Sequence, residues 1–232
     1  MSFSNHNQAP ITNTPHRRAK DPVIREYDGR CHECYMRIEK CICDLVPEID
    51  NKSFLTVIMH HRESYKTTNS ARIACMALKN SQILLRGLKG APLILPELDS
   101  ASDSQSPYNN TQPVLLTLNE RSELLTPEFV RSFNKPLHLI VPDGNWGQAS
   151  RVGKREPSLQ NIPWVKLAPG APSCYKLRHE HHPEGLSTLE AIARAFAVIE
   201  SPSIEDELMK IFNVMVERTL ETRPSRGSHS RP

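Results

Sequence analysis

The stretch LHLIVPDGNWGQ, residues 137–148, indicates the fold most clearly. Residues 137–141 form a short apolar run, which is typical of a strand buried on both faces of a sheet. The polar residues Asp143 and Asn145 follow the strand directly. Because ligands of α/β sheets bind beyond the carboxyl ends of the strands, this turn is a candidate site.

Strand and helix signals alternate on both sides of this stretch. Strands are predicted over residues 54–59, 82–86 and 113–118 from their apolar runs. Helices are predicted over residues 67–80, from Thr126-Pro127, from a capping box at Ser187–Glu190 and from Ser203. The alternation predicts an α/β fold with a layered, mostly parallel sheet.

Two further stretches carry polar groups next to predicted strands or helices. His60 to Glu63 follow the first strand, and Asn69 and Arg72 lie at the start of the next helix. Free backbone N–H groups at a helix start favour anionic ligands there. Residues 173–178 precede the capped helix and form the third candidate stretch.

Four cysteines near the N-terminus form the strongest local motif. Cys31, Cys34, Cys41 and Cys43 have the spacing C-x2-C-x6-C-x-C. Four thiols this close can converge on one tetrahedral ion, and zinc favours such a closed structural site. An iron–sulfur cluster uses the same ligands and stays open as an alternative. Cys75 falls within an apolar helical pattern and is expected in the core.

The bulk composition bounds the kind of protein. The 232 residues carry a net charge of +3, which permits nucleic-acid binding without demanding it. We expect a cytoplasmic, monomeric protein without a membrane segment, because no apolar run approaches the ~20 residues that span a bilayer. The expected division is a flexible tail (1–27), a zinc module (28–47), a catalytic domain (48–222) and a flexible basic tail (223–232).

Taken in order, these motifs resemble the DTW-domain family. The resemblance covers roughly residues 28–215 and runs from the cysteines through His61-x-Glu63…Thr68-Asn69-x-x-Arg72. It continues through Asp143-Gly144-Asn145-Trp146 to Ser173-x-Tyr175-x-Leu177-Arg178 and Leu186-Ser187-Thr188-x-Glu190-Ala191. The chain has Asn145 where the family has threonine, and Arg62 where proline is usual.

The resemblance implies a SPOUT-like knotted α/β domain and a tRNA-uridine aminocarboxypropyltransferase. Such an enzyme moves the 3-amino-3-carboxypropyl group of S-adenosylmethionine to N3 of a tRNA uridine and releases methylthioadenosine. Asp143 is then the catalytic candidate, as a general base or as the acceptor that orients N3–H. Candidate contacts to S-adenosylmethionine are Leu116, Thr117, Leu118, Asn145, Trp146, Gln148, Ser187 and Thr188. Candidate contacts to tRNA are Arg72, Arg151, Lys154, Tyr175 and Arg178.

Other functions stay open at this point. A SPOUT-like RNA methyltransferase would use the same topology, and a zinc-stabilised RNA-binding protein would need no catalytic acid. A ribosomal RNA target is a further alternative. The sequence does not identify the tRNA, the modified position or the role of the tails.

Overall fold

The computed structural model describes residues 26–27, 29–95, 98, 110–175, 177 and 185–222. Its strands are β1 (Glu26–Tyr27), β2 (Arg30–Cys31), β3 (Phe54–His60), β4 (Ser81–Arg86), β5 (Gln112–Leu116), β6 (Glu123–Leu124), β7 (Leu137–Asp143) and β8 (Trp164–Lys166). Its helices are α1 (Ser70–Ala77), α2 (Pro127–Arg131), α3 (Trp146–Ala149), α4 (Val152–Arg155), α5 (Thr188–Ile199) and α6 (Pro202–Glu221).

Six of these strands form one parallel sheet in the order β4-β3-β7-β5-β8-β6. The predicted α/β fold with a mostly parallel sheet is therefore confirmed. In β7, Leu139 to Val141 are buried on both faces of the sheet. The carboxyl ends of β3, β7, β5 and β8 consequently meet at one edge, where Asp143 ends its strand.

Helix ends follow the capping chemistry of the sequence. The side chain of Asn69 accepts a hydrogen bond from the backbone N–H of Arg72, so α1 begins later than the predicted residue 67. The predicted capping box of Ser187 and Glu190 is present at the start of α5. Ser201 caps α6, whose first residue is Pro202, so this helix begins one residue before the predicted Ser203.

Alternate side chains of the strands pack into two apolar layers. Val57, Val114 and Leu139 join the larger layer with residues of α1, α5 and α6. Ile58 and Ile140 join the smaller layer on the opposite face, together with Trp164. At Gly153 of α4, an added Cβ atom would lie 2.6 Å from Leu115 and 2.7 Å from Trp164. Helix α4 can therefore pack this closely on the sheet only with glycine at position 153.

A buried polar ladder crosses the centre of the sheet. Gln82 donates a hydrogen bond to Thr56 Oγ1 (2.9 Å), which lies 2.7 Å from Nε2 of His138. Burial lowers the pKa of His138 to about 3, so its imidazole stays neutral and can accept from the threonine hydroxyl.

The cysteine-rich segment packs on the rest of the chain. Cys31 and Cys34 are buried in the same apolar layer as α6. Arg218 of α6 donates to the backbone carbonyl of Cys41, and Lys40 forms a 2.5 Å ion pair with Glu221. Cys75 is buried in the core, as predicted.

Parts of the predicted organisation lie outside the described residues. These parts are residues 1–25 of the predicted N-terminal tail, the whole predicted C-terminal tail (223–232) and residues 178–184. Glu26 and Tyr27, assigned to the N-terminal tail from the sequence, pair with Cys31 and Arg30 as an antiparallel hairpin. No described helix is long and apolar enough to span a membrane.

Candidate active site

A cavity of about 710 Å³ lies at the carboxyl edge of the parallel sheet. Its wall includes five parts of the chain: the end of β5, the turn after β7, the loop after β8, the start of α1 and the start of α5. The lining includes Asn69, Ser70, Leu116, Thr117, Leu118, Asp143, Asn145, Lys166, Ser173, Ser187, Thr188 and Arg194. This position is the one predicted from the strand ends.

Asp143 is held at the cavity wall by two other elements. Its side chain is 7% exposed, and Oδ2 accepts a hydrogen bond from Nδ2 of Asn69 at 2.6 Å. Its Oδ1 accepts from Oγ1 of Thr188 at 2.5 Å. Both of these donors are neutral, so they stabilise the carboxylate without cancelling its charge. The start of α1, the end of β7 and the start of α5 thus converge on one acid.

Asn69 performs two tasks with one amide group. Its Oδ1 accepts from the backbone N–H of Arg72 at 2.9 Å and caps α1, while its Nδ2 points to Asp143. The cap fixes which side of the amide faces the carboxylate. The cap of α1 therefore also orients the catalytic candidate.

Glu190 is a second buried acid beside the cavity. Its oxygens accept hydrogen bonds from Ser173 Oγ (2.7 Å), the Cys174 N–H (2.8 Å) and the Ser187 N–H (2.8 Å). Burial raises the pKa of Glu190, but the hydrogen bonds from Ser173, Ser187 and Cys174 outweigh it and lower the pKa below its ordinary value. Glu190 consequently fastens the loop after β8 to the start of α5.

Asn145 and Gln148 form a reciprocal cap on the short helix α3. The N–H of Gln148 donates to Asn145 Oδ1, and the N–H of Asn145 donates to Gln148 Oε1, both at 2.9 Å. Asparagine and threonine both serve as N-cap residues, which gives a physical reason why Asn145 can replace the threonine usual in the resembling family.

Most of the predicted S-adenosylmethionine contacts come together in this cavity. Leu116, Thr117, Leu118, Asn145, Ser187 and Thr188 line it with Asp143. Among the described residues, Gln148 supports the wall through its cap and is not part of the lining. The side chain of Trp146 lies outside the described part of the structure.

The predicted RNA contacts fall into two groups. Arg72 and Tyr175 have partners inside the protein. Arg72 Nη2 donates to the Ser64 carbonyl at 2.8 Å, and its guanidinium lies 4.2 Å from the ring centroid of Tyr35. Tyr175 is buried, and its hydroxyl donates to the Thr68 carbonyl at 2.5 Å. Both residues therefore have partners inside the protein, and Tyr175 also lines the cavity, while their contacts to RNA stay a prediction.

Arg151 and Lys154 form the second group and are exposed, and Arg151 lies close to the cavity lining. A Cβ atom added at Gly147, a lining residue, would lie 3.8 Å from Arg151 Nη2. They remain the predicted RNA contacts that face solvent. Arg178, the fifth candidate, lies outside the described residues.

Several site residues were missed by sequence reasoning. The loop of residues 166–173 lines the cavity, but its prolines and small residues give no periodic signal. Arg194 lies within a regular amphipathic helix, where one basic residue indicates nothing by itself. The capping box identified Glu190 as a helix cap, yet not as the residue that holds Ser173 and Cys174.

The four predicted metal ligands converge as a closed thiolate site. All four sulfur atoms lie within 4.8 Å of one another. Cys31 and Cys43 are 3.4 Å apart, and Cys34 and Cys41 are 3.8 Å apart. A tetrahedral zinc with sulfur ligands at ~2.3 Å requires sulfur separations of about 3.8 Å, so the residues fit this ion. Hydrogen bonds from Cys34 and Cys43 lower the pKa of Cys31, and those of Cys31 and Cys34 raise the pKa of Cys43.

Comparison with known proteins agrees with these features. A curated relative, tRNA-uridine aminocarboxypropyltransferase 2 of Drosophila melanogaster, is 25% identical over 205 residues, which cover 87% of this chain and 78% of the relative. No solved structure is significantly similar to the chain. The family model of the DTW domain matches residues 28–220, a span that contains the cysteine cluster, Asp143 and the start of α5. The chain belongs to the DTW-domain family.

Proposed function

We propose that this chain is a tRNA-uridine aminocarboxypropyltransferase that uses S-adenosylmethionine as its second substrate. The observation that carries the proposal is the buried carboxylate of Asp143, held by Asn69 and Thr188 at the wall of a cavity of about 710 Å³. A cavity of this volume suits a ligand of nucleoside size. The curated relative supplies the reaction class, because it is named for this activity.

The proposed reaction is a single displacement. N3 of the uridine forms a bond to the γ-carbon of the methionine portion as the bond between that carbon and the sulfonium sulfur breaks. The sulfur keeps the electron pair and leaves as neutral methylthioadenosine, and the N3 proton passes to Asp143 or to water. In-line attack needs the γ-carbon, not the methyl carbon, about 3–3.5 Å from N3.

Asp143 contributes chiefly by orientation in this proposal. The neutral donors of Asn69 and Thr188 hold the carboxylate in place at the wall of the cavity. An ionised acceptor beside N3–H aligns the imide and stabilises positive charge as the proton departs. Leu116, Thr117, Leu118 and Asn145 supply the adjoining wall for the nucleoside.

The tRNA approaches from the side of α3 and α4 in this proposal. Both Arg151 and Lys154 are exposed there, and Arg151 lies next to the lining residue Gly147. Phosphate contacts from such residues fix the position of the RNA without reading its sequence.

Zinc is the metal proposed for Cys31, Cys34, Cys41 and Cys43. Such an ion fixes the segment around the cysteines, which joins α6 through Arg218 and Glu221. With four thiolates it has no open position for substrate, so its task is structural. Ligands in this reduced form suit a cytoplasmic protein.

The SPOUT-like threading and the domain boundaries belong to the same proposal. Residues 167–173, 175 and 185–187, which lie between β8 and α5, line the cavity, and this is compatible with a substrate-binding segment of the SPOUT type. We propose a zinc module over residues 28–47 and a catalytic domain over residues 48–222, flanked by tails. An experimental structure that traces residues 167–187 would decide the threading.

Small-molecule products test the reaction class directly. Purified protein is incubated with unmodified tRNA and S-adenosylmethionine, and the nucleoside products released from the substrate are quantified by liquid chromatography. Methylthioadenosine formed in equal amount with modified uridine is the expected result. S-adenosylhomocysteine would instead identify a methyltransferase, and tRNA binding without either product would identify an RNA-binding protein. Ribosomal RNA in place of tRNA tests the alternative target.

A further inference from the structure

The described lining of the cavity contains three charged side chains, namely Asp143, Lys166 and Arg194. The remaining lining is neutral. S-adenosylmethionine carries one carboxylate, and burial of a carboxylate needs a cationic or hydrogen-bonding partner. One of the two cations is therefore expected to face that group.

We propose that Arg194 binds the carboxylate of the aminocarboxypropyl group, an inference that rests on the proposed function. Helix α5 presents Thr188, Ala191 and Arg194 to the cavity at intervals of three residues. Six residues of helix advance by about 9 Å, so Arg194 lies further along the wall than Thr188, which contacts Asp143. This separation leaves space for the transferred chain between Arg194 and the uridine N3 that Asp143 orients.

The guanidinium of Arg194 is held in place by the loop after β8. Its Nη2 donates to the carbonyl of Ala171 at 2.6 Å. A Cβ atom added at Gly170 would lie 3.0 Å from Nη1, so the loop and the guanidinium are in close contact. A planar cation held in this way loses little freedom when it pairs with a carboxylate through its remaining N–H groups.

Lys166 is the matched alternative. Lys166 is the last residue of β8 and pairs with Leu124 of β6. The residue before it, Val165, pairs with Leu116, which belongs to the proposed nucleoside wall. An ammonium on a flexible stem provides a point charge without the paired geometry that a carboxylate matches. The structure thus favours Arg194 as the specific partner.

Arg194 in this role distinguishes the substrate from the small-molecule product. In aminocarboxypropyl transfer the group that Arg194 binds is the group that reacts, and it leaves with the tRNA. The other product, methylthioadenosine, has no carboxylate. Binding of methylthioadenosine therefore reports the nucleoside wall and the loop, whereas binding of S-adenosylmethionine also reports Arg194.

Calorimetric titration of three ligands separates these contributions. S-adenosylmethionine, its decarboxylated analogue and methylthioadenosine are titrated into the wild type, Arg194→Met and Lys166→Met, with thermal unfolding as a check on folding. Arg194→Met is expected to weaken the binding of S-adenosylmethionine by about 10- to 100-fold, which is typical of the loss of a charge-assisted hydrogen-bonded pair. It should leave the other two ligands within about twofold, and Arg194→Lys should recover part of the loss.

The contrary outcomes are distinct. Equal weakening of all three ligands by Arg194→Met would overturn the proposal, because it would show that the arginine only supports the loop through Ala171. If Lys166→Met, and not Arg194→Met, weakens the binding of S-adenosylmethionine but not of the two ligands without a carboxylate, then Lys166 binds the carboxylate. Unchanged S-adenosylmethionine affinity in Arg194→Met would also overturn the proposal. Wild-type protein that binds none of the three ligands would instead overturn the proposed function itself.

Discussion

Two buried carboxylates beside the start of α5 have opposite surroundings. Asp143 lines the cavity and is held by one side-chain donor from the start of α1 and one from α5. Glu190 is not part of the described lining, and donors from Ser173, Cys174 and Ser187 converge on its two oxygens. Burial alone therefore does not identify a catalytic acid. Access to a cavity distinguishes the acid that can act on a substrate from the acid that fastens the wall.

The largest expected effect is the loss of activity in Asp143→Asn. The amide keeps an oxygen for Asn69 and a group that can pair with the Thr188 hydroxyl, so the fold should survive. Without the negative charge, the rate of tRNA modification should fall by about 10²- to 10⁴-fold. Single-turnover assays give the rate, and urea unfolding should give a free energy within about 1 kcal/mol of the wild type. Activity near that of the wild type would remove Asp143 from the reaction.

Removal of the metal tests whether the structure of the cysteine cluster affects the position of Asp143. Tyr35 lies between the proposed zinc ligands Cys34 and Cys41 in the sequence, and it packs over Arg72, whose backbone N–H is capped by Asn69. Treatment with a chelator should therefore release one zinc per chain and reduce activity at least tenfold as this packing loosens. Metal content by mass spectrometry and activity are measured on the same samples, and zinc is restored as the control. Full activity in the metal-free protein would show that the two sites are independent.

Glu190→Gln should lower the stability of the fold, whereas Asp143→Asn should lower the activity. The new amide group would face N–H donors, so we expect a loss of roughly 2–3 kcal/mol in the free energy of unfolding at pH 7. Because the pKa of Glu190 is lowered in the folded protein, its carboxylate stabilises the fold above its unfolded pKa of about 4.5. That stability is lost as the pH falls from about 4.5 through the folded pKa.

The pH dependence separates a local role from a general loss of packing. The difference in stability between wild type and Glu190→Gln should stay constant from pH 7 to about 5 and shrink as the pH falls from about 4.5 through the folded pKa, and urea titrations at each pH measure it. A difference that stays constant with pH would mean that the ionised carboxylate of Glu190 is not what stabilises the fold. A loss of catalysis equal to that of Asp143→Asn in folded protein would erase the contrast between the two acids.

The smallest effect is expected for Arg151→Ala and Lys154→Ala. These exposed side chains touch neither carboxylate, so stability and S-adenosylmethionine affinity should not change. Each change should weaken tRNA binding several-fold and reduce the slope of log affinity against log salt by about 1. Binding at several salt concentrations measures both quantities. An unchanged slope would place the RNA on another surface.

The sequence predicted the local features of the molecule well. The four cysteines lie within thirteen residues, so their convergence on one site could be predicted from the spacing alone. The capping box at Ser187 and the apolar runs of β3 and β7 likewise depend on nearby residues. The three residues of β8 were not predicted, because so short a strand depends on its partners β5 and β6 more than on its own pattern.

The active-site contacts depend on long-range folding and were predicted only in part. Asp143 stood out at a strand end, but its bonds to Asn69 and Thr188 join residues that are 74 and 45 positions away. The internal roles of Arg72 and Tyr175 arise in the same way. Tyr175 reaches the Thr68 carbonyl across 107 positions, and no local pattern indicates such a contact.

The central claim is that the aminocarboxypropyl group of S-adenosylmethionine is transferred to uridine in the cavity beside Asp143. To test this claim, S-adenosylmethionine is labelled with carbon-13 in two ways, at the methionine γ-carbon or at the methyl carbon. Each labelled sample is incubated with tRNA and one of three proteins: the wild type, Asp143→Asn or Glu190→Gln. We predict that mass spectrometry of the digested tRNA finds the γ-carbon label, and not the methyl label, on a uridine. The signal should be lost in Asp143→Asn and retained in folded Glu190→Gln. Methyl label on the nucleoside, or full γ-carbon transfer by Asp143→Asn, would contradict the claim.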